Sequence, residues 1–196
     1  DEQMVLMFLD FAGVSAKTRE GGRHQSRTIM EEEALEAMQH ALTEPMVERL
    51  GQLRGWTPKA IRSLGLGYDG KERRIVFPAR DEVGRLVGVA RYQPNPAKRG
   101  GAPKNLSEGA RELFPQPELI PGKSVWLVEG EPDVVSMRSM GFHAVGVPGV
   151  ATWKHKWSTR FARFDRVRIC FDCDKQGRDA AQERAKDLGE VVEDVV

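Results

Sequence analysis

Residues 124–133 read S-V-W-L-V-E-G-E-P-D and residues 166–180 read R-V-R-I-C-F-D-C-D-K-Q-G-R-D-A. Each opens on a short apolar run of strand character, passes through acidic residues and enters a helical pattern. Between and after them the same alternation continues. Strands are expected over 124–128, 142–147, 166–171 and 190–196, and helices over 132–140, with proline in the first turn, 153–161 and 178–188. Alternating strands and helices predict right-handed βαβ units and a four-stranded parallel, Rossmann-like sheet covered by helices on both faces. The expected fold class is therefore α/β, with residues 123–196 as one domain.

Upstream the period changes. Thr28 stands three residues before Glu31, and Ala34, Leu35, Ala37, Met38, Ala41 and Leu42 follow at helical spacing, so a capped amphipathic helix should end near Thr43 and Pro45. A second helix is expected over 45–53. A third begins with Thr57 as cap and Pro58 in its first position and closes before Gly65. Residues 73–79 (RRIVFPA) and 85–92 (RLVGVARY) flank the turn-forming tetrapeptide 81–84 and predict a hairpin. Residues 93–122, rich in proline, glycine and lysine, are expected to form a loop or domain junction without an element of their own. Residues 29–122 thus form a smaller α+β subdomain, and residues 1–28 a linker or flank.

The 196-residue length allows one large domain or two small ones. With 40% hydrophobic and 30% charged residues, the chain is too apolar for a disordered polymer and too polar for a membrane protein. Its longest apolar run, from Met4 to Leu9, is about a third of the ~20 residues a spanning helix needs. Cys170 and Cys173 are too close together to staple a secreted fold, so reduced thiols in a cytoplasm are expected. A zinc site would need four ligands; no second C-x-x-C occurs, and His143 and His155 match no common ligand spacing. The start at Asp1, without methionine or a signal sequence, is that of an excised fragment. Charge is unevenly placed. Residues 1–48 hold 4 basic and 10 acidic side chains (net −6), residues 49–111 hold 14 and 5 (+9), and residues 112–196 hold 12 and 14 (−2). A middle third this basic is either a solvated face or a surface that draws phosphates.

Ligands and catalytic groups in parallel sheets gather beyond the carboxyl ends of the strands. Glu129 follows the first strand directly, with Gly130 allowing a tight turn, and Asp172 and Asp174 follow the third. At a spacing of two in an extended segment the two aspartates point the same way. If the two strands are neighbours, Glu129 faces that pair, and Asp133, in the first helical turn, joins them. Such carboxylates at a strand edge suit magnesium, which takes hard oxygen ligands and keeps several waters. Three other readings compete. Asp133 and Asp179 are also placed as helix-start acids, which accounts for two residues and not four. Residues 172–183 match calcium-loop spacing, with Gly177 sixth and Glu183 twelfth, but a strand precedes them where a helix is required. A phosphoacceptor aspartate would not call for the E-G-x-x-D element.

Glu129-Gly130 with Asp133, then Asp172-x-Asp174 with Gly177 and Ala180, resembles the TOPRIM domain shared by primases, type IA and II topoisomerases and certain nucleases. Upstream, R-G-W-T-P-K-A-I-R-S-L-G-L-G (54–67), R-I-V-F-P-A-R-D (74–81), Gly84, Gly88, P-K-N-L (103–106) and Leu113-Phe114 are similar to the N-terminal subdomain of DnaG-type bacterial and phage primases. Together the resemblance covers roughly residues 45–196. It implies RNA primer synthesis on single-stranded DNA by metal-dependent nucleotidyl transfer, with Mg²⁺ or Mn²⁺ as cofactor and ribonucleoside triphosphates as substrates. It also implies a zinc-binding domain elsewhere in the parent chain and a replicative helicase, fused or separate. Arg91 stands one position earlier than the family's hairpin arginine. The family's third acidic cluster lies beyond Val196, so a domain truncated at its C-terminus is expected.

On this resemblance Asp172 and Asp174 are the principal metal ligands, Asp133 a third, and Glu129 the general base or a metal-adjacent residue. Arg74, Arg80, Arg91, Lys98, Arg99 and Lys104 would contact template phosphates and the incoming triphosphate, with Lys104, inside P-K-N-L, foremost. Trp56, Tyr92 and Trp153 are either base-stacking platforms or core residues. Two other functions remain: a TOPRIM nuclease using the same carboxylates, and a non-catalytic single-stranded DNA-binding module.

Overall fold

The structure, a computed structural model, describes residues 31–95 and 101–196. Helices α1 (Glu32–Ala41), α2 (Glu44–Arg54) and α3 (Pro58–Ser63) come first. The Thr28 cap expected for α1 lies outside the described residues, and Glu31 holds the N-cap position. α2 ends at Gly55, whose φ of 69° is left-handed backbone that glycine adopts without a Cβ penalty. α3 starts as its sequence predicts. The Thr57 hydroxyl accepts from the Ala60 amide at 3.2 Å, and Pro58 occupies the first helical position.

Strands β1 (Gly67–Asp69), β2 (Arg74–Arg80), β3 (Leu86–Tyr92) and β4 (Asn105–Gly109) form an antiparallel sheet in that order. The expected β2–β3 hairpin is present. The Asp81 carboxylate accepts the Val83 and Arg85 amides across its turn. β4 corrects the reading of 93–122 as a segment without elements: Asn105 to Gly109 pair with Tyr92 to Gly88 of β3. Four of its five residues are exposed and only Leu106 is apolar, so this edge strand takes its conformation from β3 and carries no alternating pattern of its own.

The second sheet contains β5 (Ser124–Val128), β6 (Ala144–Gly146), β7 (Arg166–Cys170) and β8 (Asp194–Val195), all parallel, in the order β6-β5-β7-β8. Alternation along β5 divides the core. Val125 and Leu127 pack with Val145, Trp157, Phe161 and Leu188, whereas Val128 packs with Val134, Val135 and Ala144. Helices α4 (Glu131–Ser139) and α5 (Lys175–Gly189) supply these layers, so both faces are covered as expected. The helix expected over 153–161 is instead a 3-10 helix, His155–Phe161. Ser158 and Thr159 hydroxyls donate to the carbonyls three residues back, a local bond that competes with the α-helical ladder.

One apolar cluster crosses from the first sheet to the second. Trp56, Phe77 and Tyr92 pack in the same core as Val128 and Val134, and the Trp56 indole N–H donates to the Ser136 hydroxyl of α4 at 3.0 Å. The Thr57 amide donates to the Ser139 hydroxyl at 2.9 Å, a second tie between α3 and α4. No helix among the described residues is long and apolar enough to cross a membrane.

A buried ion pair steadies the first sheet. Asp69, 7% exposed, accepts the Lys71 and Glu72 amides at 3.0 Å each and Arg91 Nε at 2.7 Å; Arg91 also reaches Glu108 at 2.8 Å. Burial pushes the Asp69 carboxyl up, but the Glu72 amide, the Arg91 guanidinium and the Lys71 amide outweigh it and hold the group below its ordinary value of 3.8. A carboxyl depressed in the folded state contributes stability that is present above its unfolded pKa and lost as pH falls through the folded one. Asp69→Asn is expected to cost about 3 kcal/mol near neutral pH, since it leaves a buried guanidinium short of its partner. The gap between the two proteins should narrow below the ordinary aspartate value. Urea unfolding at neutral and strongly acid pH checks this; an equal gap at both would contradict it.

Candidate active site

β5 and β7 are hydrogen-bonded neighbours, with Val128 opposite Cys170, so the residues leaving their carboxyl ends meet. The Glu129 carboxylate accepts the Asp172 amide at 3.2 Å. Asp172 and Asp174 are exposed at this mouth, and Asp133 is in the first turn of α4 beside it. Burial and then the negative charges of Asp172, Asp174 and Asp133 push the Glu129 carboxyl above the usual glutamate range, against the Asp172 amide that donates to it. Desolvation and the charge of Asp172 push Asp133 up as well, while Lys104 and Arg54 pull it down. Four carboxylates therefore share one field, with two cations from upstream of β5, Lys104 and Arg54, bearing on Asp133.

The local geometry differs from the sequence reading in three ways. α5 begins at Lys175, not Arg178, and Asp174 is its N-cap, with Oδ1 accepting the Gly177 amide at 2.7 Å. Asp172 and Asp174 are thus not two members of one extended segment. That early helix start also removes the calcium loop, because positions 175–183 are helical. Gly130 has extended backbone at φ −151°, so no tight turn requires glycine there. The close approach is at Gly146 of β6, where a Cβ would sit 2.8 Å from the Gly130 carbonyl oxygen.

Gly177 is the second such place. Its Cβ would overlap the Asp172 carbonyl, so glycine lets α5 start against the chain that carries Asp172. Alanine is the better helix former by about 1 kcal/mol, yet Gly177→Ala must shift one of these segments. Moving a catalytic group by about 1 Å costs on the order of 10²-fold in rate. The expected outcome is a loss of that size in the activity proposed below, measured as initial rate, with the fold retained by circular dichroism.

Three of the predicted phosphate contacts are engaged inside the protein. Arg74, 4% exposed, donates to the Lys104 and Pro103 carbonyls at 2.9 and 2.8 Å and so clamps the start of β4. Arg80 pairs with Glu32 at 2.8 Å and also donates to the Gly84 carbonyl. Arg91 holds Asp69 and Glu108. These guanidinium groups are thus engaged with partners inside the fold. Lys104 is exposed, lies 5.5 Å over the Tyr92 ring and acts on Asp133. Lys98 and Arg99 lie outside the described residues.

Two of the three aromatic candidates are core residues and the third, Trp153, is half-buried against the core. Trp56 and Tyr92 are each 1% exposed, with ring centroids 6.1 Å apart, and Trp153 packs against Trp157 and donates to Asp187 at 2.7 Å. Cys170 and Cys173 are free and exposed, and among the described residues no three His, Cys, Asp or Glu side chains converge closely enough to hold an ion by themselves. Arg54 was not singled out from the sequence. Its place beside Asp133 depends on the packing of α2 and α3 against α4, and no motif spacing encodes that.

Residues 126–196 match the Toprim-like family model. The DNA primase of Escherichia coli strain K12 is 30% identical over 130 residues, covering 60% of this chain and 22% of the relative. The chain thus spans about a fifth of the length of the curated relatives it matches. The Aquifex aeolicus primase structure, with zinc-binding and RNA polymerase domains, superposes with a TM-score of 0.63 at 18% identity, over 95% of this chain and 57% of that one. A DnaG primase catalytic domain bound to single-stranded DNA gives 0.61 at 20% identity, over 78% and 62%. The class defined by fold and site is an α/β protein with a Toprim-like domain and acidic residues at two adjacent strand ends. Within that class, the chain has the fold of the catalytic core of DnaG-type primases.

Proposed function

We propose that this chain is the RNA polymerase core of a DNA primase, joining ribonucleotides on a single-stranded DNA template by metal-dependent nucleotidyl transfer. The observation that carries the proposal is the hydrogen-bonded approach of Glu129 and Asp172 at adjacent strand ends, with Asp133 beside them under the charges of Lys104 and Arg54. Hard carboxylate oxygens in a field that raises Glu129 and Asp133 fit a divalent cation, Mg²⁺ or Mn²⁺. No three of them converge unaided among the described residues, so such an ion would need retained water and substrate oxygens to complete its ligands. When bound, the cation neutralises charge on the reacting phosphate and lowers the pKa of the attacking hydroxyl.

The chain's own residues do the rest. Asp172 and Asp174 would be the principal holders of the ion, with Asp133 a third. Glu129, whose raised carboxyl favours proton uptake, accepts the proton of the attacking 3′-hydroxyl. Lys104, with Lys98 and Arg99, meets template phosphates. These contacts carry no sequence information, so choice of start site falls to another part of the parent protein, such as a zinc-binding domain of the kind the Aquifex structure contains. A replicative helicase is the expected partner.

The test is direct. With Mn²⁺ or Mg²⁺, ribonucleoside triphosphates and single-stranded DNA, the protein should accumulate short labelled RNA. Shortened DNA would establish the nuclease reading. DNA binding that survives Asp172→Ala with Asp174→Ala, with no turnover in the unchanged protein, would establish the binding module.

A further inference from the structure

Ser136 and Ser139 lie three residues apart in α4 and are bonded alike. The Ser136 hydroxyl accepts the Trp56 indole N–H at 3.0 Å and donates to the Pro132 carbonyl at 3.2 Å. The Ser139 hydroxyl accepts the Thr57 amide at 2.9 Å and donates to the Val135 carbonyl at 2.7 Å. Residues at this spacing share one face of a helix, here the face turned to the segment that leads into α3. Serine is a weaker helix former than alanine, and a hydroxyl that bonds back to the carbonyl four residues earlier slightly destabilises the helix. The pair therefore weakens α4 taken alone. Its gain lies between elements: each hydroxyl hydrogen is committed to α4, which leaves a lone pair for one donor of the first subdomain. Those donors stand 80 and 82 residues upstream, so no motif spacing reveals the arrangement.

Both ends of this arrangement lead to the acidic site. Pro132, whose carbonyl takes the Ser136 hydrogen, directly precedes Asp133 in the first turn of α4, where the Asp133 amide donates to the Gly130 carbonyl at 3.2 Å. On the other side Trp56 is 1% exposed, and a buried indole N–H needs an acceptor. The Arg54 guanidinium lies 5.8 Å over the Trp56 ring and 5.8 Å over Tyr92, and it is one of the two cations that act on Asp133. One hydrogen bond thus joins the turn that carries Asp133 to the ring that carries Arg54. We infer that Ser136, with Ser139 one turn further along, is a positioning residue that holds the first turn of α4 in register with Arg54 and so fixes where Asp133 stands. It touches neither substrate nor metal. Reading its effect through a divalent cation rests on the site proposed above, in which Asp133 helps to hold the ion.

Mn²⁺ is the probe, titrated by calorimetry against the unchanged protein, Ser136→Ala, Trp56→Phe and the protein carrying both changes, each below its melting range. Loss of the support behind a metal ligand predicts binding about 10-fold weaker in either single variant. Both changes remove the same bond, so the combined variant should bind no more weakly than the weaker single one, a coupling that independent effects would not produce. Ser136→Thr keeps a hydroxyl able to bond the Pro132 carbonyl and should restore the affinity. A serine with a structural role alone would lower the melting temperature and leave the affinity of the folded protein unchanged. Affinity of folded Ser136→Ala within about twofold of the unchanged protein overturns the inference, as does a threonine variant as weak as the alanine one. If Ser136→Ala fails to fold, Ser139→Ala, whose bond lies at the surface, decides by the same limit. No Mn²⁺ binding by the unchanged protein would overturn the metal site and this inference together. Serine-dependent binding in a protein that makes no RNA would sink the primase reading alone.

Discussion

Exchanging Glu129 for glutamine is expected to lower RNA synthesis by about 10²- to 10⁴-fold, the range associated with removal of a general base. Glutamine keeps the length of the side chain and an amide oxygen that can accept the Asp172 N–H, so the contact between the two strand ends survives. What disappears is the negative charge and the capacity to take a proton. The burial and the neighbouring acids that raise Glu129 also make the substitution benign for folding, because the neutral amide is relieved of like-charge repulsion. The expected result is therefore an inactive protein with an unchanged or higher melting temperature. Initial rates with saturating metal and nucleotide measure it, and activity within a few-fold of the unchanged protein would exclude Glu129 from the chemistry.

The second large effect concerns stability. Trp56→Ala is expected to destabilise the protein by about 3–5 kcal/mol, the usual cost of truncating a fully buried tryptophan. At this chain length that corresponds to roughly a 10 °C fall in melting temperature. Trp56 packs edge-on against Phe77 and tilted against Tyr92, and its indole N–H reaches Ser136 on α4. Loss of the ring opens a cavity where the antiparallel sheet meets the Toprim-like domain. Trp56→Phe should recover most of the loss but not the Ser136 bond, worth about 1 kcal/mol. Thermal melts followed by circular dichroism distinguish the three proteins; a shift below about 2 °C for alanine would mean that the two parts do not depend on this residue.

The meeting of Glu129 and Asp172 was legible in the sequence. Glu129 and Asp172 occur at strand ends whose apolar runs, S-V-W-L-V and R-V-R-I-C, are compact enough to be read from composition alone. The basic side was much less so. Arg74, Arg80 and Lys104 have the same local character in the sequence, yet the first clamps two carbonyls, the second pairs with Glu32, and only the third is exposed. A charge becomes available or engaged according to which partner the fold brings to it, here across 48 residues for Arg80 and Glu32. β1 and β4 were hidden for a related reason. A strand of three residues, and one of five with four exposed, carry too little pattern to outweigh turn-like composition, and their pairing energy comes from the strand beside them.

Local signals in the chain were sufficient for the alternation of strands and helices, the Thr57 cap, the β2–β3 hairpin and the acids at the ends of β5 and β7, because each depends on residues within about a dozen positions of one another. Tertiary structure alone decided the β6-β5-β7-β8 order that makes Glu129 and Asp172 neighbours, the capping role of Asp174 and the internal pairing of the arginines. Each of those depends on contacts between segments distant along the chain, which are settled by packing and the satisfaction of buried polar groups.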